Sequence, residues 1–334
     1  MQPISNDALP LIECNNLTKH FLLSQGPFEK PRVLRAVQDI TLRIRRGETV
    51  GLVGESGCGK STLGRTLLML LAPTSGDIIM DGCNLARLRE REIRPWRRRM
   101  QIVFQDPYSS LDPRMTVEQI IGEPLLIHRI GKSASERRAI IVDLLEQVGL
   151  HSDCMSRYAH EFSGGQRQRV GIARAIAVKP EFIVCDEPLS ALDVSIQAQI
   201  VNLLLELREK LGMSYLFISH DLEIVRFLSK RIAVMYLGRI VEVGTAEEVA
   251  TRPYHPYTQA LLNSIPVANP KQRRNLELLS GDVPNPTEPP PGCAFHPRCP
   301  RAIRGTCDRE LPLLEQSGHD HSVACFNPID HAGA

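Results

Sequence analysis

Nine residues, "GESGCGKST" from Gly54 to Thr62, fit the pattern G-x-x-x-x-G-K-[ST]. Glycines in such a loop let the backbone curl until successive N–H groups converge on phosphate oxygens. The binding stretch comprises Gly54, Glu55, Ser56, Gly57, Cys58, Gly59, Lys60, Ser61 and Thr62, with Cys58 required only for its backbone. Lys60 can reach the terminal phosphates of a nucleotide, and the Ser61 hydroxyl can ligate Mg²⁺. Far downstream, "FIVCDE" (182–187) delivers two adjacent acids at the end of an apolar run. Asp186 suits a hold on that metal through water, and Glu187 suits orienting or deprotonating an attacking water. His220, closing "SYLFISH", offers an imidazole for the γ-phosphate or the water.

A further stretch, "FSGGQRQR" (162–169), again places a hydroxyl and glycine N–H groups in front of a helix. That makes a second anion-binding helix start in a chain with one phosphate loop. One nucleotide cannot use both within a monomer, so the second is expected to face a γ-phosphate held by another subunit.

These residues need elements to hold them. "ETVGLVG" reads as a buried strand before the loop. After it, Leu63, Leu67, Leu70 and Leu71 share one face of a helix that Pro73 ends. Ile40, Leu42 and Ile44 alternate in "ITLRIRRGE", predicting an antiparallel strand that feeds the core. Residues 1–105 and roughly 166–245 are expected to build an α/β core, a mostly parallel sheet flanked by helices, with an inserted helical subdomain at 106–165. There a capping box, Ser133 to Glu136, opens a helix carrying Ile141, Leu145 and Val148. Another helix, Val194 to Leu211, is expected to bury Ile196, Ile200, Leu203 and Leu207 and to stop at Gly212. The basic run "RPWRRRM" reads as a solvated face, and "VPNPTEPPPG" (283–292) as a stiff linker.

A net charge of +2 over 334 residues gives no support for a nucleic-acid binder. "MQPISNDALP" lacks the pattern of a secretory leader. The longest apolar run, "TLLMLLA", falls far short of the ~20 residues of a membrane span. The expectation is therefore a cytoplasmic chain whose membrane role comes through partners.

The order of the motifs resembles that of the ATPase subunits of ABC transporters. "SGGQ" (Ser163, Gly164, Gly165, Gln166) resembles their signature motif, and "VFQDP" with Gln105 their Q-loop. "SALD" (Ser190, Ala191, Leu192, Asp193) resembles the D-loop, and "SHD" with His220 the switch histidine. The resemblance implies a P-loop NTPase core of the ABC type, with an antiparallel β subdomain and the inserted helices. It implies ATP hydrolysis by Glu187, His220, Gln105 and Lys60, with Mg²⁺ held through Ser61, Gln105 and Asp186. Phe21 falls where an aromatic ring stacks on adenine, although Tyr or Trp is commoner there.

"HPYTQALL" (255–262) is similar to the hallmark of the oligopeptide/dipeptide/nickel importer subfamily, and "VMYLGRIVE" reads the same way. The best match is the second, dipeptide-type subunit of its two non-identical ATPases. This implies a cassette at 1–250, an extension at 251–334, and a heterodimer with a non-identical ATPase subunit. Two transmembrane permease subunits and, indirectly, a periplasmic or extracellular substrate-binding protein complete the machine, at the cytoplasmic face of the inner membrane. Di- or oligopeptides are the expected cargo; nickel, glycosides or antimicrobial peptides fit the same machine. A soluble ABC ATPase of DNA repair or translation is a separate reading, which the single cassette and the extension oppose.

The extension carries C-x5-C-x7-C-x17-C: Cys293, Cys299, Cys307 and Cys325. Four thiolates fit an iron–sulfur cluster or Zn²⁺, or remain unligated. Zinc sites favour C-x2–4-C pairs, which this tail lacks, and the resemblance implies a [4Fe–4S] cluster. Cys14, Cys83, Cys154 and Cys185 read as small core residues.

Overall fold

The computed structural model describes residues 10–24, 31–106, 108–264, 281–317 and 320–331. Most of the N-terminal stretch read for a leader, and Pro107 of "VFQDP", lie outside the described residues. The chain runs through β1 (Ile12–Leu23), β2 (Arg32–Ile44), β3 (Thr49–Val53), α1 (Lys60–Leu67), β4 (Ser75–Met80) and β5 (Cys83–Asn84). Next come α2 (Glu90–Arg97), β6 (Met100–Val103), α3 (Val117–Ile127), α4 (Ala134–Gln147) and α5 (Gly164–Ile176). Then β7 (Phe182–Asp186), α6 (Val194–Leu211), β8 (Ser214–Ile218) and α7 (Leu222–Leu228) alternate. A closing series holds β9 (Arg231–Tyr236), β10 (Arg239–Thr245), α8 (Ala246–Thr251), α9 (Pro256–Asn263), β11 (Glu315–Gln316) and β12 (Ser322–Val323). Among the described residues, no helix is long and apolar enough to cross a membrane.

Two compact units emerge. One takes residues up to Glu13, Arg43–Thr49 and Ile79–Ser219. Its β6, β7 and β8 run parallel, with Val103 opposite Cys185 and Asp186 opposite Ile218. Every residue of β7 and β8 is buried, as near-continuous apolar runs covered on both faces require. The other unit takes Cys14–Leu42, Val50–Ile78 and His220 onward. In it β3 lies parallel to β9, β9 pairs antiparallel with β10, and the tail's β12 and β11 continue antiparallel from β10. The sheet structure is thus more mixed than the mostly parallel arrangement expected. Its antiparallel share begins at a two-residue hairpin, Leu237 (φ 41°) and Gly238 (φ 82°), whose left-handed pair suits a tight turn between twisted strands.

Ile40, Leu42 and Ile44 alternate into the core as expected. Helix α6 has the expected bounds and ends on Gly212 in the left-handed region, though Ile196 is only half-buried. Three other expectations need correction. Helix α1 ends at Leu67, well before Pro73, because the chain turns over at Met69 (φ 53°) and leaves Leu70 exposed. Ser133 caps α4 through the Glu136 N–H, but the Glu136 carboxylate reaches back to the Lys132 N–H, not to Ser133. Cys83 is half-buried, whereas Cys14, Cys154 and Cys185 are core residues.

Candidate functional site

In the second unit, strand β3 runs straight into the loop read above as a phosphate cradle, Gly54 to Thr62. Gly54, Gly57 and Gly59 all take positive φ, and a Cβ on Gly54 or Gly59 would overlap the Met235 or Ala36 carbonyl oxygen respectively. Only glycine fits there. Gly59 is also the N-cap of α1, so the turn delivers the chain directly into a helix start. Ser56 and Gly57 are exposed, Ser61 and Thr62 half-buried. The Lys60 ammonium is buried and donates to the carbonyls of Gly54 at 2.7 Å and Glu55 at 3.0 Å. Cys58 is buried beside it, and burial pushes its thiol up. Phe21 is half-buried on β1, with the Lys19 ammonium 4.9 Å from its ring centre. His220 is exposed just before α7, where Asp221 accepts from the N–H groups of Glu223 and Ile224 and fixes the helix start.

The first unit carries the acids. Asp186 ends β7 with no exposed surface, and Glu187 turns out of the strand at φ 46° while its N–H still donates to the Ile218 carbonyl. Nε2 of Gln105 donates to Oε2 of Glu187 at 2.8 Å. The Ser190 hydroxyl donates to the Glu187 carbonyl, and the Gln197 side chain donates to the carbonyls of Leu189 and Leu192. Residues 190–192 are thereby strapped to the start of α6, and Asp193 stands exposed at its N-cap position. At α5, Ser163 and Gln166 cap each other reciprocally: the Gln166 N–H donates to the Ser163 hydroxyl, and the Ser163 N–H to the Gln166 side chain. Gly165 is buried, and a Cβ there would stand 2.5 Å from Ile196. The base of β7 is pinned by Glu181, which pairs with Arg99 and Arg46 and is held down to about 2, chiefly by its hydrogen bond from Arg99.

The tail supplies contacts that local spacing does not announce. Both Nη atoms of Arg298 donate to the Glu55 carboxylate, at 2.8 and 3.0 Å, and the Tyr257 hydroxyl accepts from the Glu55 N–H at 2.8 Å. Glu242, with no exposed surface, accepts from the N–H groups of Tyr254 and His255 and pairs with His321 Nε2 at 2.7 Å. The one hint available in the sequence was Arg298's place between two of the clustered cysteines.

None of the four tail cysteines is in a disulfide. The Ile303 N–H donates to the Cys307 sulfur at 3.3 Å. Burial pushes Cys293, Cys299 and Cys325 up, Cys325 to about 11. Backbone hydrogen bonds at Phe295, Arg301 and Asn327 pull the other way on these three sulfurs. The charge of each of the other three thiols also raises Cys325, so the four lie within reach of one another's field. Among the described residues, no three or more His, Cys, Asp or Glu side chains converge closely enough to hold a single metal ion. This geometry supports neither the iron–sulfur centre expected from the resemblance nor the zinc alternative.

The family described as ABC transporter matches residues 37–190, and that described as oligopeptide/dipeptide transporter, C-terminal region, matches 241–307. A putative oligopeptide transport ATP-binding protein of Bacillus subtilis, YkfD, is 51% identical over 95% of both chains. The chain belongs to the ATP-binding subunits of ABC transporters. A probable peptide ABC transporter ATP-binding protein of Sinorhizobium fredii is 50% identical, over 94% of this chain and 89% of its own. Among solved structures, the post-hydrolysis dimer of the cassette MJ0796 with ADP and Pi aligns with a TM-score of 0.63 at 30% identity. It covers 70% of this chain and 98% of its own. The C-terminal family match ends at Cys307, which leaves Cys325 beyond it.

Proposed function

We propose that this subunit hydrolyses ATP to drive uptake of di- and oligopeptides through membrane-embedded permease partners. The geometric observation that carries the reading is the Gln105–Glu187 contact at the end of β7, beside a fully buried Asp186. It is the arrangement expected of a carboxylate kept ready for a water. The peptide cargo rests on the C-terminal family match and on the relatives' names. In this reading Gly54–Thr62 cradle the phosphates, Lys60 brings its positive charge to the terminal ones, and Phe21 stacks on adenine. Bound Mg²⁺ supplies charge neutralisation at the β- and γ-phosphates; Ser61, Gln105 and Asp186 are the oxygen donors that suit it. Glu187 orients water for attack on the γ-phosphorus and takes its proton as the bond to the ADP oxygen breaks, leaving phosphate. His220 and Gln105 sense the γ-phosphate. Ser163–Gln166 close on the nucleotide of a second, non-identical ATPase, and Ser190–Asp193 line that contact.

The same reading divides the chain into a cassette at 1–250 and an extension at 251–334, and puts the subunit at the cytoplasmic face of the inner membrane. A substrate-binding protein delivers the peptide. The four tail thiols hold a [4Fe–4S] centre. What speaks for it is the family resemblance of the tail and the N–H groups that meet its sulfurs, as the Ile303 N–H meets Cys307, since such hydrogen bonds suit a thiolate ligand. Anaerobically purified protein should then contain iron and absorb near ~400 nm; stoichiometric zinc without iron refutes it. For catalysis, Glu187→Gln should bind MgATP normally yet turn over about 100-fold more slowly or worse. Near-normal turnover would remove Glu187 as the base.

A further inference from the structure

We propose that Arg298, in the cysteine-bearing extension, is a positioning residue for the phosphate loop, acting through the Glu55 carboxylate. This rests on reading Gly54–Thr62 as the phosphate cradle. Glu55 is the second residue of that loop, and a carboxylate beside an arriving polyphosphate is electrostatically adverse. Its compensation comes from 243 positions away. The guanidinium meets the carboxylate as a two-pronged pair, fixing orientation as well as charge. The Arg298 side chain is only 6% exposed, so solvent screens the pair weakly. Tyr257 holds the backbone of the same residue through the Glu55 N–H. Loop shape is thus set at two atoms groups of Glu55, its carboxylate and its amide, both from beyond the cassette.

The bearing of Arg298 is itself fixed. Tyr236, Tyr257 and Phe295 form a buried aromatic cluster with ring centres 4.6 to 5.4 Å apart. The Arg298 N–H donates to the Phe295 carbonyl at 3.0 Å, within the turn that joins Cys293 to Cys299. The cysteine turn therefore carries the arginine to the loop, and the extension belongs to the nucleotide site.

The test uses the full-length chain assembled with its partner subunits, in a Glu187→Gln background that prevents hydrolysis. MgATP affinity and the rise in melting temperature on adding MgATP are measured together. Arg298→Met should weaken MgATP about tenfold, because it leaves an uncompensated carboxylate in the loop. Arg298→Lys, which keeps the charge but not the fork, should fall between the two. Adding Glu55→Gln to Arg298→Met should restore most of the affinity, a rescue that simple loss of packing would not show. Wild-type affinity in a folded Arg298→Met protein, or no rescue by Glu55→Gln, overturns the proposal. If Arg298→Met does not fold, wild-type affinity in Arg298→Lys overturns it equally. Lys60→Ala separates the two levels: should it also bind MgATP normally, the phosphate-cradle reading itself fails.

Discussion

From Val50 to Leu67 the second unit positions its side chains with a buried strand and a helix, joined by a loop in which Gly54 and Gly59 admit no side chain. From Gly281 to His331 the described residues offer two strands of two residues each and a single 3-10 turn. Apart from Glu55, which Arg298 and Tyr257 hold, the loop is turned by its own glycines and by Lys60 donating to the Gly54 and Glu55 carbonyls. The tail is held by distant ones: His321 on Glu242, 79 positions away, and Arg301 on Asn327, 26 away. Short turns satisfy much of its backbone locally, as where the Cys307 N–H meets the Ile303 carbonyl, but only long-range contacts fix where those turns sit. The comparison predicts that changes in the loop act on ligand, and changes in the tail act on stability, with Arg298 as the residue that belongs to both.

The largest effect should come from Lys60→Ala. Its ammonium bridges two loop carbonyls and, in the proposed role, brings its charge to the phosphates, so MgATP affinity should fall about 100-fold or more. Titration with a fluorescent nucleotide and a melting curve check it together. A drop in melting temperature with affinity intact would reverse the roles assigned to loop and tail.

Glu242→Gln tests the other side. An amide in place of a carboxylate that accepts three hydrogen bonds turns an NH₂ toward at least one buried donor. A loss of about 3 kcal/mol is expected in denaturant unfolding, with MgATP affinity of the remaining folded protein unchanged at low temperature. A smaller loss, about 2 kcal/mol, is expected for Gly292→Ala. Gly292 has φ 67°, and a Cβ there would lie 2.5 Å from the Cys307 carbonyl, against which the Cys293 N–H is bonded. If Gly292→Ala also lowers iron content, the turn is what brings those two cysteines together.

The same contrast explains what the sequence made legible. The loop glycines, Lys60, the paired acids and the bounds of α6 follow from spacing alone, because each is a local demand of backbone geometry or period. Where a tertiary turn competes, spacing misleads. Leu70 and Leu71 continue the helical pattern of α1, yet the chain has already turned at Met69. Contacts such as Arg298 with Glu55 or His321 with Glu242 have no periodicity to detect. They come into being only when the strands β9 and β10 and the helix α9 fix where the tail returns.

His255 sharpens the comparison by the smallest margin. It caps α9 by accepting from the Tyr257 N–H, and it is fully buried against Phe295. Burial lowers its pKa from 6.5 to about 4, and the nearby Glu242 charge, which favours the protonated ring, only partly offsets this. Between those values the unfolded chain binds the proton and the folded chain does not. Stability is therefore whole above pH ~6.5 and declines as the pH falls toward ~4. Going from pH 7 to 5.5 should cost about 1 kcal/mol from this group. His255→Asn keeps an oxygen for the Tyr257 N–H but cannot titrate, so its unfolding free energy should lack that increment over the same range. Because the histidine lies in the helix that leads into the tail, the pH step should move unfolding while leaving the MgATP affinity of the folded protein unchanged. A matching pH step in affinity, absent from His255→Asn, would mean that the helix reports to the loop through Tyr257 as well as holding the tail in place.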